Sequence, residues 1–444
     1  MARQAPVPPG RERTDSQEGR LPVLPQRSAG LKARGFADSG PSGLLLRCLS
    51  DSREPSAVSR EPATDWNEVV EVAVREHLAP LLFRRLKESD ARAGVPADAW
   101  KRLRRAYFTS GDRNTRLYRE LRTVLQRLRD SRGKVIALKG AFLAEAVYGD
   151  LALRPMCDTD LLVPRAELPR AQAILLDLGY GPQEREDIEL LCQRSMELAP
   201  FVRDDSSVEL HWSIAVPTSP CRIDITGLWA RAQPATIAGV HLLALSPEDL
   251  LLHLCLHASH QHGLECGLRP FCDIAEAVRH YGSEVDWPQF ADRAREWGAS
   301  RYAGLTLHLA RNLLAVPVPD DVLGQLMPEG LDSRMLRKAT ACVLARKPYY
   351  TWAVLPVPNR WDDKTTCEKV KGLWDLVFIS RYQMALVYPK SRDSMHLWLY
   401  YVWRPLHLLR KYGRVTLQRG FRMMRFHKRD STPSLARWLR SGKP

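Results

Sequence analysis

Asp158 and Asp160 stand two residues apart in CDTDLLV (157–163), a polar pair running straight into an apolar stretch. In a strand, side chains alternate between faces, so this spacing directs both carboxylates to one side. Neighbouring carboxylates repel each other. A hard divalent cation relieves that repulsion, and Mg²⁺ is typically held by one or two carboxylates together with phosphate oxygens. SSVELHWSI (206–214) alternates in the same way, with Glu209 and His211 on one face and Val208, Leu210 and Trp212 on the other. If that strand lies beside the first, Glu209 becomes a third acid. Three acids on adjacent strands can hold two metal ions about 3.5–4 Å apart for in-line phosphoryl transfer. A bare D-x-D also describes a strand end with two solvated acids. Its position at the entry to a buried strand favours chemistry.

Lys139-Gly140 lies upstream, at a turn from strand to helix. A glycine there lets backbone N–H groups approach a phosphate, the helix start favours negative charge, and Lys139 can reach a phosphate as a point charge. Arg154, four residues before Asp158, can bind a triphosphate or pair with an acid. Further on, His253, His257 and His260 recur at four and three residues and share a helix face. A zinc site would need a fourth ligand such as Cys255, Cys266 or Asp273, and the spacing matches no standard motif. Core histidines are the expectation, with His257 a candidate for the cleft wall. Asp273 reads as a helix cap or a histidine partner.

The elements that must position these groups are legible as changes of pattern. From Asp65 to Arg132 the pattern is helical: Trp100, Leu103, Tyr107, Leu117, Leu121, Val124, Leu125 and Leu128 recur at helical steps. Gly111 and Asn114 interrupt this stripe, so a kink or break is expected there, and Gly133 is expected to end the helix. KVIAL (134–138) reads as a buried strand, FLAEAVYGD as a helix, CDTDLLV as a second strand, AELPRAQAILLDLGY (166–180) as a helix closing on Gly179, and SSVELHWSI as a third strand. Such an order is α/β or α+β in kind. Ser246-Pro247-Glu248-Asp249 has the chemistry of a helix start. The remainder reads as mostly helical, with RWDDKTTCEK (360–369) a loop.

The 444 residues carry 66 Lys and Arg against 51 Asp and Glu, a formal charge of +15. Hydrophobic residues make up 45 %, which excludes a wholly disordered chain and leaves ample material for a core. No apolar run reaches the length needed to span a membrane, and the N-terminal residues lack the apolar stretch of a secretory signal. Nine scattered cysteines without a C-x-x-C pair argue against a disulfide framework and for a reducing, cytoplasmic compartment. The expected divisions are a disordered Pro/Arg-rich tail (1–41), an N-terminal helical region (42–132), a catalytic core (133–245), a helical domain (246–403) and a basic tail (404–444). That last segment holds twelve Lys or Arg against one acid, Asp430. Its charge, interleaved with Leu, Phe and Met, suits an acidic partner surface, a membrane surface or a nucleic acid.

ALKGAFLAEAVYGDLALRPMCDTDLLVPRAELPRAQAILLDLGYGP, then VELHWSI, LSPEDLLLHLCLHASHQHG and LRPFCDIAEAVRH, resemble the uncharacterised bacterial nucleotidyltransferase family of the NTP-transferase type 5 group, within the DNA-polymerase-β-like superfamily. The similarity covers about residues 42 to 412. It implies an α+β fold: a mixed sheet flanked by helices, with helices before it and a helical domain after. It also implies that Asp158 and Asp160 bind metal, that Glu209 is the third acid and activates the incoming hydroxyl, and that Gly140 belongs to the phosphate-binding turn. Lys139-Gly140-Ala141 departs from the superfamily's Gly-Ser, and Thr159 replaces the commoner Ile. The arrangement is closer to the KGG…R…DID pattern of toxin-type members.

Together these readings lead to an expected enzyme dependent on Mg²⁺ or Mn²⁺ that moves an NMP from an NTP, ATP among them, to an acceptor, releasing pyrophosphate. Asp158, Asp160 and Glu209 form the catalytic and metal set, and Lys139, Gly140 and Arg154 hold the nucleotide. The acceptor, whether a small molecule, an RNA or a protein, is not written in the sequence. Two rivals remain. A nucleotide-sugar glycosyltransferase also uses D-x-D but leaves Lys139, Gly140 and Glu209 idle. A degenerate nucleotidyltransferase fold acting as a binding or regulatory module is the other.

Overall fold

A computed structural model describes residues 40–50, 65–182, 192, 195–217, 219–327, 331–345, 374, 378, 398–406 and 435–440, apart from the side chains of residues 90, 91, 436, 437 and 440. The N-terminal tail up to residue 39, the 360–369 segment and most of the basic tail fall outside them. Contacts divide the chain between Lys32 and Ala33, and all the described residues belong to the second unit.

Helices α1 (Pro41–Leu49), α2 (Trp66–Arg75) and α3 (Ala79–Glu88) lead into α4 (Ala97–Asp130). Each buries an apolar stripe; in α2, for example, Trp66, Val69, Val70 and Ala73 face inward while Asp65 caps the start by accepting from two backbone N–H groups. The 34 residues of α4 run on through Gly111 and Asn114, so the expected break is absent. The physical reason lies far along the chain. The segment 151–156 docks at that point, with Ala152 against Gly111, where a Cβ would meet it at 3.2 Å. Asn114 donates to the carbonyls of Leu151 (2.6 Å) and Arg154 (2.8 Å) and accepts from the N–H of Met156 (3.3 Å). The end of α4 also differs from expectation. Arg132, not Gly133, takes the left-handed conformation, at φ 59°, and the Gly133 N–H reaches back to the Leu128 carbonyl.

Among the described residues, seven strands form one mixed sheet in the order β3-β4-β5-β2-β1-β7-β6: β1 (Ile136–Ala137), β2 (Thr159–Leu162), β3 (Gly181–Pro182), β4 (Phe201–Arg203), β5 (Ser206–His211), β6 (Gln233–Ile237) and β7 (Val240–Ala244). β2 is central, antiparallel to β1 and parallel to β5. Its register sets Asp160 opposite Glu209 and Leu162 opposite His211. After β1 comes a single α-turn, α5 (Lys139–Phe142), which widens into a π-turn over Leu143–Val147. The remaining helices are α6 (Leu168–Asp177), α7 (Ile225–Arg231), α8 (Pro247–Leu256), α9 (Arg269–Tyr281), α10 (Trp287–Glu296), α11 (Ser300–Leu314), α12 (Asp320–Leu326) and α13 (Ser333–Leu344). Helices also cover residues 398–406 and Leu435–Arg440. This is an α+β architecture, a mixed sheet flanked by helices. One contiguous apolar cluster, reaching from Leu45 to Trp438, joins the sheet to the helices before and after it. No helix among the described residues is long and apolar enough to cross a membrane, and the eight described cysteines are all unbridged.

Candidate active site

The site is built where β1 hands over to α5 beside the parallel pair β2 and β5. Antiparallel pairing sends the Leu138 N–H to the Asp160 carbonyl at 3.0 Å, so the next residue, Lys139, emerges over the Asp160 side chain. Lys139 does so with a positive φ of 41°. A β-carbon disfavours that region, and such strain is concentrated at functional sites. Its Nζ lies 2.8 Å from Asp160 Oδ1. From β5, His211 brings Nε2 to 3.0 Å from the same oxygen, while its Nδ1 lies 2.9 Å from Glu197 Oε2. Glu209 approaches His211 Nε2 at 3.7 Å. Asp160 and His211 are almost fully buried, whereas Glu197 and Glu209 remain partly open.

The electrostatics follow from this crowding. Burial alone would raise the Asp160 carboxyl, but Lys139 and His211 together hold it well below the usual carboxylate range. Burial alone would likewise lower His211, yet its bonds to Asp160 and Glu197, with Glu209 adding to them, push it up to about 10. Lys139 is held above its ordinary value by Asp160 against the cost of burial. Burial raises Glu209, and Asp160, Glu197 and Asp158 add to it. Asp158 is raised by burial and by Asp160, with Lys139, Arg154 and Arg269 pulling the other way. It stands one residue before the first residue of β2 and is half-buried.

Arg154 is engaged differently from a free phosphate ligand. Its Nε and Nη2 donate to both oxygens of Asp273 at 3.1 and 2.9 Å, and Tyr148 donates to the same carboxylate at 2.9 Å. Asp273 therefore serves neither as a helix cap nor as a histidine partner. Lying inside the first half of α9, it turns inward onto a guanidinium from a segment 119 residues earlier. Gly140 is required by this arrangement: a Cβ there would stand 2.5 Å from Arg154 Nη1 and 3.0 Å from Met156 Cγ.

The histidine row lies beside the site. His253 is buried, and neither ring nitrogen has a hydrogen-bond partner among the described residues. His257 and His262 share a contact at 3.1 Å, and His260 meets Ser219 at 3.1 Å. Burial lowers His253 to about 3 and His262 to about 4. These four rings form no ligand set among the described residues. The only such set of three among the described residues is Asp160, Glu209 and His211, whose ligand atoms all lie within 4.8 Å of one another. Two carboxylates and an imidazole fit a divalent cation once the imidazole gives up its proton.

A family model described as an uncharacterised nucleotidyltransferase matches residues 62–315, more than half of the chain. The chain belongs to this nucleotidyltransferase family. No curated protein matches it. Two solved structures of ANT(2'')-Ia are similar in part. One, described as the solution structure of an antibiotic-resistance factor, is 18 % identical, with 44 % of this chain and 97 % of that chain covered and a TM-score of 0.31. The other, a crystal complex with adenylyl-2''-tobramycin, is 16 % identical, with 40 % and 98 % covered and a TM-score of 0.31.

In this nucleotidyltransferase the structure thus gathers Lys139, Asp160 and Glu209, places Asp158 at the entry of β2, and ties Arg154 and Gly140 into a neighbouring buried pair. Sequence reasoning did not select His211, Glu197 or Arg269. His211 carried a signal, since strand alternation sets it on the face of Glu209. Glu197 carried none, because it joins His211 through an isolated bridge outside the strands.

Proposed function

We propose that the chain is a nucleotidyltransferase dependent on Mg²⁺ or Mn²⁺, moving an NMP from an NTP to an acceptor hydroxyl. The acceptor oxygen attacks the α-phosphorus, the bond to the bridging oxygen of the β-phosphate breaks, and pyrophosphate leaves. The observation that carries this reading is the pairing of Asp160 with Glu209 across β2 and β5, directly beneath Lys139.

Asp158, Asp160 and Glu209 would hold the metal, with His211 a further donor when neutral. The bound cation would supply charge neutralisation at the phosphate oxygens. Glu209, raised above the usual carboxylate range, is suited to accept the proton of the attacking hydroxyl. Lys139 can turn from Asp160 to a phosphate oxygen, since its side chain retains some exposure. Arg154 positions the Lys139–Gly140 turn by packing its guanidinium against Gly140. The acceptor enters the proposal only as a hydroxyl compound, whether metabolite, RNA or protein.

The test is a paired labelling experiment. With Mg²⁺ or Mn²⁺ and each NTP, label at the α-phosphorus is expected in a metabolite, RNA or protein fraction, while γ-label is expected in pyrophosphate. Transfer of γ-label to the acceptor, or no dependence on added divalent cation, would sink the reading.

A further inference from the structure

Arg269 opens α9 and lies half-buried beside the site. Its Nη1 donates to the Pro155 carbonyl at 3.3 Å, three residues before Asp158. No carboxylate pairs with it among the described residues. The acid one turn further along the same helix is Asp273, and both oxygens of Asp273 are taken by Arg154, one of them also by Tyr148. The nearest acid along the helix is therefore already engaged by another guanidinium. Burial and the repulsion of Arg154 hold Arg269 below its ordinary value, with Asp273, Cys157 and Asp158 opposing. A half-buried cation without a counter-ion is unfavourable, and an anion arriving from outside would relieve it.

The placement says where such an anion would sit. Asp158 feels Lys139, Arg154 and Arg269 as attractive charges. Arg154 lies against Gly140, the residue after Lys139. All three cations thus lie close enough to Asp158 to attract its carboxylate, and of the three only Arg269 has no acidic partner among the described residues. A planar guanidinium offers the paired donors that suit phosphate oxygens.

We infer that Arg269 binds the β- and γ-phosphates of the nucleotide, the part that departs as pyrophosphate. This rests on the nucleotidyl-transfer reading above. A residue that grips only the departing phosphates should matter for an NTP and not for the corresponding NMP.

The experiment measures binding of α,β-methylene analogues of the four NTPs and of the four NMPs, with Mg²⁺, to the wild type, Arg269→Met and Arg269→Gln. Expected is a loss of about tenfold or more in affinity for whichever analogue binds, with NMP affinity unchanged in both variants. Thermal melting identifies which variant is folded, and either one alone decides the result. An unchanged ratio of NTP to NMP affinity overturns the inference and leaves nucleotidyl transfer standing. Failure of the wild type to bind any NTP analogue overturns both.

Discussion

At the scale of single residues, the two aspartates of the D-x-D pair are not equivalent. Asp158 is half-buried and carries no hydrogen bond among the described residues, whereas Asp160 is held by Lys139 and His211. Asp158→Asn is therefore expected to reduce transfer about a thousandfold or more while leaving the urea midpoint unmoved. Asp160→Asn is expected to abolish transfer and also to cost about 3 kcal/mol of stability, because it takes from Lys139 its paired carboxylate and from His211 one of its two close ones. Denaturation curves measured beside turnover separate the two; equal loss of stability in both variants would contradict this division. The residue types were legible because carboxylates two apart before an apolar run are conspicuous. The cations that answer them were not. Lys139 was visible only as a possible phosphate ligand, and nothing in the sequence ties Asp273 to Arg154 across 119 residues.

At the scale of elements, α4 acts as a rail for the segment that delivers Asp158. Asn114 makes three hydrogen bonds to that segment and is fully buried. Asn114→Ala leaves two carbonyls and one N–H without partners, with an expected cost of about 2–3 kcal/mol and a parallel loss of transfer. Urea unfolding of the variant checks the first part, and a midpoint within error of wild type would refute it. The strands were legible because alternation of apolar and polar residues is a local signal: Val208 and Leu210 against Glu209 and His211. The continuity of α4 was not. Gly111 and Asn114 are poor helix residues taken alone, and only the docking of residues 151–156 explains their presence. The starting point of β2 was equally hidden, since hydrogen bonding with β5 begins at Thr159 and leaves Asp158 just outside it.

At the scale of the whole molecule, histidines should shape the dependence of stability on pH. His253 and His262 stay neutral in the fold down to about 3 and about 4, whereas the unfolded chain takes up protons near 6.5. The unfolded state thus binds more protons below about pH 6.5, and stability falls as pH drops towards 4. Each contributes up to ~1.4 kcal/mol per pH unit. His211 acts in the opposite sense. Its folded value of about 10 gives stability that is complete below about 6.5 and is lost as pH rises through 10. Urea midpoints across this range are expected to peak near neutrality, with His253→Leu flattening the acid limb and His211→Gln the alkaline one. A profile unaffected by either substitution would count against the buried placement of these rings. The α+β class and the helical flanks could be read from the order of patterns. Their joining into one core could not, because it depends on contacts such as Arg85 with Glu276 and Glu76 with the Leu268 N–H, each about 190 residues apart in sequence. That long-distance stitching bears on anyone seeking a minimal enzyme. A fragment cut to the span from Lys134 to Leu245 would keep every acid of the D-x-D pair and β5, yet lose the carboxylate that anchors Arg154 and, with it, the prop beneath the Lys139 turn.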